Sequence, residues 1–117
     1  VECYQIRLNK NHSPAVQFST LAHELGHLFL GHLGNNKELR IKARGKVSHE
    51  QQEFEAESLS YLVCTRHGVS TNSERYLAQF VSHNEYVPPL DLYHLMTAAG
   101  AVERILQIGG HIQFKAC

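Results

Sequence analysis

Residues 20–33 read TLAHELGHLFLGHL, a run of helix-forming residues that contains an H-E-x-x-H pentapeptide. Residues four positions apart lie on one face of an α-helix, so His23 and His27 are predicted to reach a single metal ion. Glu24 is their neighbour and is positioned to accept a proton from water without binding the metal. Two imidazoles and an adjacent carboxylate form the donor set of a zinc peptidase. The stretch therefore predicts an active-site helix.

The surroundings of the pentapeptide strengthen this interpretation, because H-E-x-x-H alone also occurs by chance. The flanking residues are mostly apolar: Leu21, Ala22, Leu25, Leu28, Phe29, Leu30 and Leu33. Such a helix is predicted to be largely buried, and unpaired polar groups are costly away from water. A bound metal would satisfy both imidazoles together.

Length and composition predict one ordinary globular domain. The chain has 117 residues, of which 43% are hydrophobic and 19% are charged, and its formal net charge is zero. This predicts a single domain over residues 1–117, and the start at Val1 fits a processed product or a domain excised from a longer protein. The balanced charge gives no reason to expect nucleic-acid binding, and no apolar run is long enough to predict a membrane span or a signal peptide.

The three cysteines lack the pairing patterns of a disulfide framework or a zinc ribbon. Cys3, Cys64 and Cys117 are far apart in the sequence. We predict reduced thiols in a cytoplasmic protein, with Cys64 packed in the interior.

The pattern of apolar residues, caps and breakers predicts a mainly helical α+β fold with about four helices. A strand is predicted over residues 3–8 and the motif helix over residues 16–33, ending at Gly34. Ser48 is predicted to cap a second helix that stops at Gly68. Two more helices are expected, one from Asn72 or Ser73 to Val81 and one over residues 90–108, with a terminal strand over residues 111–114.

Residues 37–46 read KELRIKARGK and hold five of the eleven basic residues. Such a run is typical of a solvated loop or a short edge strand. The alternative is a mobile flap beside the cleft that contacts an acidic or extended substrate. No interleaved aromatic residues indicate contact with nucleic acid.

A catalytic zinc site needs a third protein ligand and one open position. In metzincins this ligand is the last histidine of H-E-x-x-H-x-x-G-x-x-H. Here Leu30 stands at the glycine position and His32 comes one residue too early. The spacing excludes a metzincin ligand, and His32 is predicted to be a surface residue or to support a ligand.

The second helix offers the alternative, a glutamate ligand of the gluzincin kind. Among Glu53, Glu55 and Glu57, only Glu55 continues into the apolar stripe Leu59, Leu62 and Val63. Helical periodicity therefore predicts that Glu55 faces inward and is the third metal ligand. The competing interpretation is that Glu55 pairs with an arginine such as Arg40 or Arg66.

HELGHLFLGHLG, followed by EFEAESLSYLVC, resembles the ImmA/IrrE-type metallopeptidases, and most of all the peptidase domain of ArdC-like antirestriction proteins. The resemblance continues through RHGVSTNSERYLAQF and YVPPL. The family pattern is H-E-x-x-H plus a later Glu-Ala pair, here His23, Glu24, His27 and Glu55-Ala56. It implies a minimal gluzincin-like (zincin) fold, in which a small sheet edge flanks the active-site helix and the glutamate helix crosses it.

The resemblance also implies a zinc-dependent endopeptidase that acts on a protein substrate, either a regulatory protein or one linked to mobile-element defence. Zn²⁺ would be held by His23, His27 and Glu55, and Glu24 would be the general base. This chain carries neither the helix-turn-helix domain of some relatives nor the single-stranded-DNA-binding domain of ArdC. Substrate recognition and DNA binding are therefore not carried over, and dependence on a flanking domain or partner is plausible.

Two other functions compete with this one. The first is a zinc-binding interaction module without peptidase activity, for which a fourth protein ligand such as His32 would be diagnostic. The second is a helical domain without metal. The residue that would stabilise the oxyanion is left open among four candidates: His49, Tyr61, His67 and Tyr76.

Overall fold

The computed structural model describes residues 3–83 and 90–106, which form a mainly helical domain. Its four helices are α1 (Pro14–Phe29), α2 (His49–Arg66), α3 (Ser73–His83) and α4 (Leu92–Leu106). Ser13 caps α1 by accepting a hydrogen bond from the Val16 amide, with Pro14 in the first turn. Ser48 caps α2 in the same way through the Gln51 amide. The predicted Ser48 cap therefore marks the start of α2 correctly, whereas α1 starts two residues before the predicted position, residue 16.

The ends of α1 and α2 are set by glycines with positive φ. The α1 helix ends at Phe29, earlier than predicted, because Gly31 already adopts a φ of +86°. A Cβ at Gly31 would lie 2.2 Å from the Lys42 carbonyl oxygen, so only glycine fits this close approach. The predicted stop of α2 at Gly68 is confirmed, with a φ of +71°.

The predicted strand over residues 3–8 is wrong. These residues form no strand, and the only β pairing within the described residues is an isolated antiparallel bridge between Asn36 and Ile41. A strand forms only beside a second strand that pairs with its backbone, and the described residues contain no such strand. The second predicted strand, residues 111–114, lies outside the described residues.

Helix α2 is the central element, because it packs against α1, α3 and α4. The core is made of small and branched side chains: Ala22, Leu25, Leu30, Leu59, Val63, Leu95, Ala98, Ala99 and Val102. Gly26 allows the closest approach of α1 to α2, since a Cβ there would lie 3.3 Å from a Leu59 methyl group. The histidines of α1 and the glutamates of α2 are thereby brought within reach of one another.

The basic run over residues 37–46 is a loop, as predicted, and it folds back onto the end of α1. The Arg44 amide donates to the Gly31 carbonyl at 3.1 Å. At the same place α4 reaches α1, since His94 Nε2 lies 3.0 Å from the Leu30 carbonyl oxygen. The loop therefore holds Arg44 beside α1 and α2.

The cysteine prediction is partly confirmed. Cys64 is a free thiol, almost fully buried, and burial raises the pKa of that thiol. Cys3 is disulfide-bonded, so the prediction of a free thiol there is wrong. None of the described helices has the length and apolar character that a membrane crossing requires.

Candidate metal centre

Three side chains from α1 and α2 converge at one point. The Nε2 atoms of His23 and His27 lie 3.1 Å apart. The Glu53 carboxylate lies 2.9 Å from His23 Nε2 and 3.4 Å from His27 Nε2. Across the part of the chain that the structure describes, this trio is the only group of His, Cys, Asp or Glu close enough to share a metal ion.

The geometry of the trio fits a zinc ion. Tetrahedral zinc with bonds of about 2.0–2.1 Å places its ligand atoms about 3.3 Å from one another. The two Nε2 atoms lie 3.1 Å apart, close to that spacing, and a different Glu53 oxygen faces each of them, Oε2 at 2.9 Å from His23 and Oε1 at 3.4 Å from His27. Two imidazoles and one carboxylate are also the donor set of a catalytic zinc site, which keeps its fourth position open. The side chains stay partly accessible, with Glu53 31% exposed.

His23 is held by a second carboxylate of α2. Its Nδ1 lies 2.8 Å from Glu57 Oε2, on the side of the ring away from His27. Burial opposes protonation of His23, but the hydrogen bond and charge of Glu57, with other nearby carboxylates, outweigh it and raise the pKa of the imidazole. Burial likewise opposes ionisation of Glu57, yet its contact with His23 lowers the pKa of that carboxyl. The carboxylate thus orients the ring so that Nε2 faces the centre.

His27 has a different neighbour. Its Nδ1 lies 2.8 Å from Nδ1 of His32, whose side chain is only 1% exposed. Burial and the nearby His23 lower the pKa of His27, which favours the neutral ring that a metal requires. The prediction that His32 is a surface residue is wrong. The alternative, that His32 supports a ligand, agrees with its contact with the motif residue His27.

Glu55, which the sequence pattern predicts as the third metal ligand, does not belong to the group formed by the motif histidines. Its carboxylate is 5% exposed and is bound bidentately by Arg44, with both N···O distances 2.8 Å. His32 Nε2 lies 2.8 Å from Oε1, and Gln51 donates to Oε2 at 3.2 Å. Four hydrogen bonds from these three residues occupy the roughly four lone-pair directions of a carboxylate, which leaves none for a metal.

The pKa of Glu55 reflects this pairing. Burial would raise it, but the hydrogen bonds from His32 and Arg44 outweigh burial and lower the pKa of the carboxyl. Glu55 therefore stays ionised and permanently paired. The competing sequence interpretation, pairing with an arginine, was right in kind, although the arginine is Arg44 rather than Arg40 or Arg66.

Glu24 is exposed on α1, next to the centre. Its negative charge acts to raise the pKa of both His23 and His27. It is therefore near both imidazoles, as the motif predicts, and it is free to face a molecule that enters from solvent.

Helix α3 packs against α2 beside the centre. Phe80 stacks on Phe54 of α2, with ring centroids 4.6 Å apart. About two helical turns before Phe80, the buried Ser73 hydroxyl is near enough to Glu57 to lower the pKa of that carboxylate, although it forms no hydrogen bond of normal geometry. Tyr76 shares this face of α3 and lies between the two contacts.

The position of Tyr76 distinguishes it from the other oxyanion candidates. Burial, and after it the charges of Glu53 and Glu57, raise the pKa of its hydroxyl, so it stays protonated and able to donate. His49 is 83% exposed and lies 3.9 Å from Glu53. His67 is engaged by Glu103 of α4 at 2.7 Å, which is a different part of the domain.

Sequence reasoning missed Glu53 because it assumed that α2 has one inward face. The stripe of Glu55, Leu59 and Val63 is buried, as predicted. However, α2 is packed on several sides, and Glu53 and Glu57 line a second contact face toward α1. The i, i+4 spacing of Glu53 and Glu57 matches that of His23 and His27, and this match was the available signal.

The two packed helices with a His–His–Glu donor group define a domain of the metallopeptidase type. A family comparison agrees, since residues 2–78 match the Peptidase_M78 model, the IrrE N-terminal-like domain. The chain belongs to this family. The ImmA/IrrE-type resemblance is thus confirmed, while the closer resemblance to ArdC-like proteins stays a prediction. The match ends inside α3, so it covers both helices that carry the centre.

No curated protein and no solved structure matches the chain significantly.

Proposed function

We propose that this domain is a zinc-dependent endopeptidase whose metal is held by His23, His27 and Glu53. The observation that carries the proposal is the convergence of three donor atoms, all within 4.8 Å of one another, beside the carboxylate of the H-E-x-x-H motif. Glu53 takes the role that the sequence pattern assigned to Glu55. Membership of a peptidase-type family supports the same activity.

The chemistry follows from the residues at the centre. Zinc supplies a Lewis acid that makes water a nucleophile near neutral pH and polarises a peptide carbonyl. Glu24 accepts the proton as water attacks and delivers it to the leaving amine. His23 and Glu57 form the carboxylate–histidine pair that keeps a ligand ring in place.

Tyr76 is our candidate for the donor that stabilises the oxyanion. The charges of Glu53 and Glu57 both raise the pKa of its hydroxyl, which places Tyr76 near the two carboxylates. It is also 39% exposed, so a substrate can approach the hydroxyl. A protonated hydroxyl aimed at developing negative charge typically contributes about 10²-fold or more to the rate.

The alternative, an interaction module with a structural zinc, would need a fourth protein ligand. The expected one, His32, has both ring nitrogens engaged, by His27 and by Glu55. Among the described residues the metal group contains three members only. These observations favour the enzyme.

The substrate is proposed to be a protein or peptide, either regulatory or linked to mobile-element defence, with no direct contact to nucleic acid. Dependence on a flanking domain or a partner belongs to the same proposal. A cytoplasmic location fits the reduced Cys64, whereas the disulfide of Cys3 is more typical of an oxidising compartment.

The experiment compares the native chain with Glu24→Gln, in cells and as purified protein. Mapping of new protein N-termini should detect cleavage products with the native chain only. Both proteins should contain one zinc ion, because Glu24 is not a ligand. Cleavage at an undiminished rate by Glu24→Gln would remove Glu24 from the mechanism, and a native protein without zinc would remove the metal.

A further inference from the structure

A continuous row of contacts joins His27 to Arg44. His27 Nδ1 lies 2.8 Å from His32 Nδ1, and His32 Nε2 lies 2.8 Å from Glu55 Oε1. Arg44 then donates one hydrogen bond to each Glu55 oxygen, both at 2.8 Å. The inner members of this row, His32 and Glu55, are 1% and 5% exposed. Neither belongs to the candidate metal group, yet His32 contacts the motif histidine directly and Glu55 contacts His32.

The chemistry of the partners fixes where each proton lies. An ionised carboxylate only accepts hydrogen bonds, so the His32 nitrogen facing Glu55, Nε2, must carry a proton. Arg44 already balances the charge of Glu55, and a second cation on the buried His32 ring would lack a counter-charge. With its proton on Nε2, the His32 ring presents the lone pair of Nδ1 as an acceptor.

The same reasoning gives the position of the proton on His27. Because His32 Nδ1 accepts, His27 Nδ1 must be the donor in their 2.8 Å contact. A neutral His27 with its proton on Nδ1 has a free lone pair on Nε2. Nε2 is the atom that lies 3.1 Å from His23 Nε2 and 3.4 Å from Glu53, at the centre.

We propose that Glu55, acting through His32, sets the tautomer and orientation of His27, so that Nε2 is presented to the metal. Glu55 and His32 are positioning residues in this scheme. Glu57 orients His23 directly, through its contact with Nδ1. The two histidines of the motif are thus oriented by different carboxylates, one in direct contact and one through His32. The consequence for zinc binding rests on the proposed function. The predicted tautomers do not depend on it.

The row is anchored to the backbone. The Arg44 amide donates to the Gly31 carbonyl at 3.1 Å, one residue before His32. Glu55 is further fixed by Gln51, one helical turn earlier on α2. The loop, the end of α1 and the start of α2 therefore hold the carboxylate in place before any metal arrives.

The test has two readouts, and the first needs no metal. Long-range ¹H–¹⁵N correlation spectra of the metal-free native protein, recorded at about pH 8, report which nitrogen of each imidazole carries a proton. We expect His32 protonated on Nε2 and His27 on Nδ1. A native His32 ring that is protonated on Nδ1, alone or together with Nε2, would overturn the proposal.

The second readout is zinc affinity in matched variants. His32→Phe fills the site but cannot accept a hydrogen bond, whereas His32→Gln can accept one through its carbonyl oxygen. We expect zinc affinity to fall about 10- to 100-fold in His32→Phe and to recover most of that loss in His32→Gln. His12→Phe, at an exposed position, is the control and should bind like the native chain.

Equal affinity for His32→Phe and the native protein, measured on folded protein, would contradict the relay, that is, the proposal that Glu55 sets the His27 tautomer through His32. Equal losses in both His32 variants would also contradict it, because packing alone would then explain the effect. A native protein that shows the expected tautomers but binds no zinc supports the relay and refutes the proposed function. A native protein that binds zinc but shows the opposite tautomers supports the proposed function and refutes the relay.

Discussion

Glu53 and Glu55 are two residues apart on α2, so their side chains leave the helix on nearly opposite sides, about 160° apart around its axis. The Glu53 side chain is 31% exposed and faces two imidazole nitrogens. The Glu55 side chain is 5% exposed and is held by Arg44, His32 and Gln51. The difference teaches that deep burial of a carboxylate does not identify a metal ligand. A ligand needs free lone pairs and a route from solvent, and only Glu53 has both.

The same contrast extends to the neighbouring elements. On the Glu53 side, α3 contributes Tyr76 and an open surface, and Glu24 adds its exposed carboxylate. On the Glu55 side, the loop over residues 37–46 closes over the carboxylate through Arg44. In the proposed function, one face of α2 takes part in the chemistry and the other supports it.

The largest effect is expected from removing the support. Arg44→Met leaves the buried Glu55 without its cation, which should destabilise the domain by about 3 kcal/mol, or more than 100-fold in the folding equilibrium. Chemical denaturation of metal-free protein measures this loss. Arg66→Met is the control, because its pair with Glu103 is a surface pair and should cost less than about 1 kcal/mol. Equal costs for the two variants would contradict the structural role assigned to Glu55.

The next effect concerns the open side. Tyr76→Phe removes one hydroxyl and should lower kcat about 10²-fold while zinc content stays at the native level. Tyr61→Phe is the matched control, since Tyr61 lies on α2 and is similarly exposed, at 38% against 39% for Tyr76. A Tyr76→Phe protein with the native kcat would leave the oxyanion role without a residue.

A smaller effect is expected where Glu57 supports His23. Glu57→Gln keeps a carbonyl oxygen that can accept from His23 Nδ1, but it removes the negative charge. Zinc affinity should therefore fall by about 10-fold, near the lower end of the range for such orienting carboxylates. Competition with a chromogenic chelator measures it. A loss as large as that of a ligand variant would mean that Glu57 binds the metal itself.

The helices and the motif were predictable because their signals are local. Ser48 and Gly68 mark the limits of α2 through caps that depend on a few neighbouring residues. The pairing of His23 with His27 follows from helical geometry alone. These features do not depend on how the helices pack.

The third donor was not predictable in the same way, because its identity depends on packing. Periodicity found that Glu55 is buried but could not show which element it meets. Arg44 comes from a loop whose path depends on the close approach at Gly31. The strand predicted over residues 3–8 failed for a similar reason, since strand propensity is realised only beside a partner strand.

The central claim is that Glu53, rather than Glu55, completes the metal centre. Anomalous diffraction at the zinc edge, from crystals of zinc-loaded protein, locates the ion directly. The account predicts one zinc ion bonded at about 2.0–2.2 Å to Nε2 of His23, Nε2 of His27 and a carboxylate oxygen of Glu53. Zinc bonded to Glu55, or no zinc beside the two histidines, would contradict it.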